Sequence, residues 1–147
     1  MDGKQRSHDY NLLCNELELF YHQVAIKLNL SDSAFDILFI ILDLGEECTQ
    51  TDIYKSGRLN KQTVNSSVKQ LINKDILYSE STGGKENKLY FTKNGKKFID
   101  EKIMPMIKVE DDIYALMTED EYQELVYLTK KYLDIVRDKI GSMFDIK

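Results

Sequence analysis

Apolar positions near the start of the chain fall at helical steps. Tyr10, Leu13, Leu17, Phe20 and Val24 recur every three or four residues, which predicts a helix over about 7–28 with Ser7 or Asp9 as its cap. A second row, Leu12, Leu19 and Ile26, widens the apolar surface, so this helix expects neighbours on more than one side. After a polar turn at 29–33, Ser33 and Asp36 have the spacing of a capping box. The helix they open is apolar almost all round (Phe35, Ile37, Leu38, Phe39, Ile40, Ile41, Leu42, Leu44). It therefore belongs at the centre of the fold, and it stops at Gly45.

Thr49 and Asp52 repeat the capping spacing before a short helix that ends at Ser56-Gly57. Asn60 caps the next helix, which runs to about Lys74 and carries Val64, Val68, Leu71 and Ile72 on one side. Strand-forming residues at 76–81 and 88–91 flank the polar turn 82–87, which contains Gly83-Gly84, and together they read as a hairpin. Thr92 then caps a long helical stretch with Phe98, Ile99, Ile103, Met106 and Ile107, kinked near Pro105. Thr118-Glu119-Asp120-Glu121 opens a last helix with Tyr122, Leu125, Val126, Leu133, Val136 and Ile140 along one side, ending at Gly141.

Two helices joined by a short turn with Gly, then a hairpin, make a winged helix-turn-helix. The expected fold is mainly α with a small β-hairpin wing: a single domain over 1–147 with a winged core over 31–97. The flanking helices, 7–28 and 98–147, have apolar stripes with no partner inside that core. A homodimer interface built from both chain ends is the simplest way to bury them.

Charge sharpens this picture. The chain carries a net −5, yet between Gln50 and Lys97 ten Lys/Arg stand against four Asp/Glu, while the remainder holds ten against twenty-one. Polarity of this kind suggests a basic working face on an acidic body, and chance clustering of charge on a solvated surface would give the same count; charge alone does not choose between them. On a helical wheel the second helix of the pair sets Gln62, Thr63, Ser66, Lys69, Gln70 and Asn73 opposite its apolar side, with Asn65 at the edge. Amides pair with adenine and hydroxyls with several base edges. Asn60, Lys61, Gln62, Thr63 and Ser66 lie at the N-terminal end, the part that enters the major groove. An ordinary amphipathic surface helix would look similar; the preceding turn and following hairpin favour recognition of double-stranded DNA. The hairpin adds Lys85 and Lys88 for phosphate or minor-groove contact, with Lys93, Lys96 and Lys97 beyond it.

At this point the chain resembles the MarR-type transcription regulators. The resemblance rests on element order, on Thr63-Val64-Asn65-Ser66-Ser67-Val68-Lys69-Gln70-Leu71, and on the wing end Leu89-Tyr90-Phe91-Thr92-Lys93-Asn94-Gly95. Phe91, Thr92 and Gly95 match the apolar residue, Thr and Gly with which family members commonly close the wing. The family wing also tends to carry Asp-x-Arg; here Gly83 and Lys85 fall at those places, and Lys is a poorer minor-groove reader than Arg. What the resemblance implies is a homodimer with both recognition helices on one duplex. Such proteins usually repress, and release DNA when a small aromatic or oxidised signal arrives. A peroxide-sensing branch carries a reactive cysteine in its first helix, which makes Cys14 a candidate redox residue. Glu16 and Glu18 beside it disfavour a thiolate, so a buried structural thiol is the competing reading.

Several classes are excluded or set aside. No apolar run approaches the ~20 residues needed to span a bilayer, and no signal peptide is visible, so the expected compartment is the cytoplasm. Cys14 and Cys48 form no CxxC. His8 and His22 are the only histidines; Glu18 and His22 share i,i+4 spacing, but two ligands do not make a metal site. No HExxH, P-loop, GxSxG or GxGxxG occurs, and Glu110-Asp111-Asp112 reads as solvated surface, so neither an enzyme nor a cofactor is expected. The alternative class is a winged-helix module for protein–protein contact, its basic face meeting an acidic partner.

Overall fold

The computed structural model describes residues 2–146. The chain divides between Phe98 and Ile99 into two compact units. The first contains α1 (Gly3–Lys27), α2 (Asp32–Leu44), α3 (Gln50–Lys55), α4 (Lys61–Asn73), β1 (Leu77–Glu80), β2 (Lys88–Phe91) and α5 (Lys93–Phe98). The second contains a π-helical turn (Ile99–Ile103), α6 (Met104–Ala115), α7 (Glu119–Val136), a second π-turn (Arg137–Gly141) and α8 (Ser142–Phe144).

In the first unit α2 is central, as its all-round apolarity predicts. It touches α1, α3 and α4. Ile37, Leu38, Ile40 and Ile41 are shut off from solvent together with Ile53 of α3, Val64, Val68 and Leu71 of α4, and Leu77 and Leu89 of the hairpin. Each such side chain contributes about 1.5–3 kcal/mol on burial, so this cluster holds the winged core together. The strands are antiparallel, pairing Leu77 with Phe91, Tyr78 with Tyr90, Ser79 with Leu89 and Glu80 with Lys88. Leu77, Leu89 and Phe91 face the core, while the Tyr78 and Tyr90 rings stack on the other face.

Several local expectations are corrected. Helix α1 begins at Gly3, a turn earlier than the expected start at residue 7, and Asp2 caps it by accepting from the Gln5 N–H at 2.9 Å, not Ser7 or Asp9. The added turn is polar, so apolar periodicity could not register it. The cap of α2 is Ser31, whose hydroxyl accepts from Ala34 N–H, rather than Ser33. Ser33 lies inside the helix and hydrogen-bonds the buried Ser67 of α4 at 2.7 Å. A long-range partner thus decides between two serines that are locally equivalent. The capping boxes at Thr49/Asp52 and Thr118/Glu121 form as expected.

The turn out of α4 carries its own device. Asp75 adopts a left-handed conformation, and the pair Asp75 N–H to Ile72 C=O and Ile76 N–H to Leu71 C=O forms a Schellman motif that steers the chain into β1. The segment before α3, read from sequence as plain connection, also joins the hairpin. Glu47 N–H donates to Leu89 C=O, and Leu89 N–H donates to Cys48 C=O, both at 2.9 Å.

In the second unit the π-turn Ile99–Ile103 lies immediately before Pro105, whose missing N–H is the local cause of the irregularity expected there. Gly141 does not end the helical run; it continues to Phe144, and the left-handed Asp145 stops it. Gly141 instead lets the chain fold back: Ile146 N–H donates to its carbonyl, and a Cβ at 141 would stand 2.8 Å from the Ile146 oxygen.

Candidate nucleic-acid interface

The helix pair is fixed from both ends. Thr49 and Asp52 close a reciprocal cap on α3, with Thr49 N–H donating to the Asp52 carboxylate at 2.8 Å and Ile53 buried beneath. Those hydrogen bonds hold the Asp52 carboxyl below the usual carboxylate range. Gly57 adopts φ +77 in the turn that follows, and Asn60 caps α4 by accepting from Thr63 N–H at 2.9 Å. The buried Val64, Ser67, Val68 and Leu71 then fix which face of α4 looks outward.

That outward face and the wing enclose an open cleft of about 860 Å³. Lys61, Gln62 and Asn65 of α4 line it, and Lys85 of the wing meets them there. Other expected residues are distributed differently. Asn60 is exposed, but its side-chain oxygen is engaged in the cap. Thr63 is half-buried, and Ser66 is exposed with its hydroxyl donating back to Thr63 C=O at 3.1 Å. Lys69 is exposed a turn further along. Lys88 is not at the wing tip: it lies in β2 and pairs with Glu47 at 3.0 Å, an interaction that raises its pKa. Gln70, on the polar side of the wheel, ties α4 to α2 by accepting from Ser31 N–H and Ser31 Oγ.

Sequence reasoning missed Gln50, Thr51 and Tyr54 of α3 and Ser79, Glu86 and Asn87 of the hairpin, all of which line the same cleft. The α3 residues had a signal, since Gln50, Thr51 and Tyr54 share a side of a short helix whose other side holds Ile53. The hairpin residues had none, because their place depends on how the loop folds back.

The two thiols differ. Cys14 is partly exposed on α1, whereas Cys48 is buried. Burial, with a smaller contribution from the Asp52 charge, pushes the Cys48 thiol up to about 11. Cys48 should therefore stay unmodified by a thiol reagent at pH 8 until the protein unfolds, with a Cys48→Ser variant assigning the slow group. The neutral thiol is favoured by folding, so its contribution is intact below the unfolded-state value and is lost as pH rises from about 9 towards 11. Labelling of native Cys48 as fast as an unfolded thiol would contradict its burial. His22 Nδ1 lies 2.8 Å from Asp32, which joins α1 to the start of α2. Among the described residues no group of three His, Cys, Asp or Glu is placed to hold a metal ion. No helix among them is long and apolar enough to cross a membrane.

Comparison with known proteins follows the same outline. Residues 28–85, which include the helix pair and most of the wing, match the model of the MarR family. The chain superposes on the S. aureus MepR–DNA complex with a TM-score of 0.69 at 16% identity, covering 88% of this chain and 95% of that one. NMB1585, a MarR family regulator from Neisseria meningitidis, gives 0.69 at 20% identity over 97% and 99% of the two chains. S. aureus MarR in complex with salicylate and kanamycin gives 0.67 at 18% identity over 91% and 94%. No curated protein matches the sequence. The chain thus has the fold of a MarR-type winged-helix regulator, with the family's sequence pattern carried by residues 28–85.

Proposed function

We propose that this protein is a sequence-specific DNA-binding transcription regulator, a homodimeric repressor of the cytoplasm released by a small aromatic or oxidised signal. The observation that carries the reading is the cleft. Lys61, Gln62 and Asn65 at the start of α4 face the same space as the wing's Lys85, so base-reading amides and phosphate-binding cations converge. Asn60, Thr63, Ser66 and Lys69 extend that surface along α4, and Lys88 supports the wing through Glu47. The DNA-bound MepR relative supports a duplex as partner, and the salicylate-bound MarR relative supports an aromatic effector.

The dimer is supported by unmet apolar surface. Leu13, Leu17, Leu19 and Phe20 of α1 are each more than half exposed, and no residue of α6 or α7 is buried. A second copy would cover these stripes. The winged core over 31–97 then acts as the DNA-binding part, with 7–28 and 98–147 as dimerisation helices. Cys14, partly exposed on α1, is the residue through which an oxidant would act.

Selection of binding sites from a random duplex library tests this directly. The expected product is a pseudo-palindrome with half-sites about one helical turn apart. Failure to recover any motif, with no binding even at low salt, would overturn the repressor reading. It would leave the basic cleft to an acidic protein partner.

A further inference from the structure

The wing loop raises a problem of position. Residues 81–87 (Ser81-Thr82-Gly83-Gly84-Lys85-Glu86-Asn87) contain no apolar side chain, and every one is exposed. Such a loop has no hydrophobic anchor, and Gly83 at φ +79 adds freedom at its tip. Yet Lys85 lines the cleft beside Lys61, Gln62 and Asn65. A tie near the tip is present: Thr51 Oγ1, on the first turn of α3, donates a hydrogen bond to the Glu86 carboxylate across 35 residues of sequence. Thr51 is a firm post, since the reciprocal cap of Thr49 and Asp52 and the buried Ile53 hold α3 on either side of it.

We infer that Thr51 and Glu86 form a latch that holds the wing loop against α3 and so positions Lys85 over the cleft. The inference deepens the DNA-binding reading and rests on it for its consequence, though not for the latch itself. Glu86 makes the point sharper. A carboxylate in a cleft meant for phosphates works against binding through its charge, so its favourable contribution is geometric. Gly83 and Gly84, just before Lys85, offer no side chain that could hold the loop. Glu86 supplies a fixed carboxylate from the other side of Lys85. Thr51 and Glu86 are thus positioning residues, and Lys85 is the group that touches DNA.

The variants separate bond from charge. Thr51→Val removes the donor, keeps the shape and leaves the Glu86 charge; Thr51→Ser restores the hydroxyl; Glu86→Gln keeps an oxygen acceptor and removes the charge. Thermal melts identify any variant that fails to fold. Without DNA, a lysine-specific protease should cut between Lys85 and Glu86 several-fold faster in Thr51→Val than in the parent, with Thr51→Ser at the parental rate. With a 30-bp random-sequence duplex and the selected palindrome as probes, Thr51→Val should bind roughly five- to tenfold more weakly. Its salt slope should fall by about 0.9, one phosphate contact. Glu86→Gln should bind at least as well as the parent.

Parental cleavage rates in Thr51→Val, or no rescue by Ser, would overturn the latch. Faster cleavage with unchanged affinity and slope would overturn its role in placing Lys85. If the parent protein binds neither duplex, the DNA-binding reading fails by itself, and the protease experiment still decides whether the latch exists.

Discussion

Alanine at Gly95 should cost about 3 kcal/mol of folding stability and lower the melting temperature by roughly 10 °C. Gly95 lies in the first turn of α5, directly against the end of the α4–β1 connection. A Cβ built there would stand 2.0 Å from the Ile76 carbonyl oxygen and 2.8 Å from its carbon. Both are backbone atoms, so no side chain can swing aside. The approach is held in place by Thr92, whose N–H donates to Ile76 C=O at 3.0 Å and whose hydroxyl accepts from Gly95 N–H at 2.8 Å. Relief requires α5 to move off the root of the hairpin, which would also disturb β2. Serine at 95 should behave like alanine, because the obstruction is the β-carbon itself. A melting temperature within about 1 °C of the parent would show that the contact is looser than the geometry states.

The second large effect concerns base reading. Gln62→Ala and Ser66→Ala should each reduce discrimination between the selected palindrome and random duplex, roughly tenfold for the amide at about 1–3 kcal/mol per bidentate base contact. Lys85→Ala should instead weaken binding to both duplexes alike and lower the salt slope by about 0.9. The contrast follows from placement: Gln62 and Ser66 lie on α4, whereas Lys85 comes from the wing. Competition binding at two salt concentrations separates the patterns. If all three substitutions weaken random DNA equally, α4 supplies phosphate contact and no sequence reading.

Much of the site was legible because its signals are local. Asn60 three residues before Thr63, and Thr49 three before Asp52, declare helix starts through the reach of one side chain to a nearby N–H. Val64, Val68 and Leu71 declare the buried side of α4, which leaves Gln62, Asn65 and Ser66 outside by elimination. Lys88 was harder. In sequence it is one more lysine of a basic hairpin; in the structure Glu47, 41 residues away, pairs with it at the loop-side end of β2. Gln70 follows the same logic, since the wheel places it among polar neighbours but Ser31 of α2 claims its oxygen.

The sequence by itself determined the kind and order of the main elements, the buried faces of α2 and α4 and the basic character of the middle segment. These depend on periodicity, capping and composition, which act over a few residues. Only the tertiary structure decided that Ser31 rather than Ser33 caps α2, that the stretch before α3 joins β2, and that α3 and Glu86 share the cleft with Lys85. Each of those outcomes rests on a partner tens of residues away. A hydrogen bond of that span has no local trace in the chain; it exists only once the hydrophobic core has brought its two ends together.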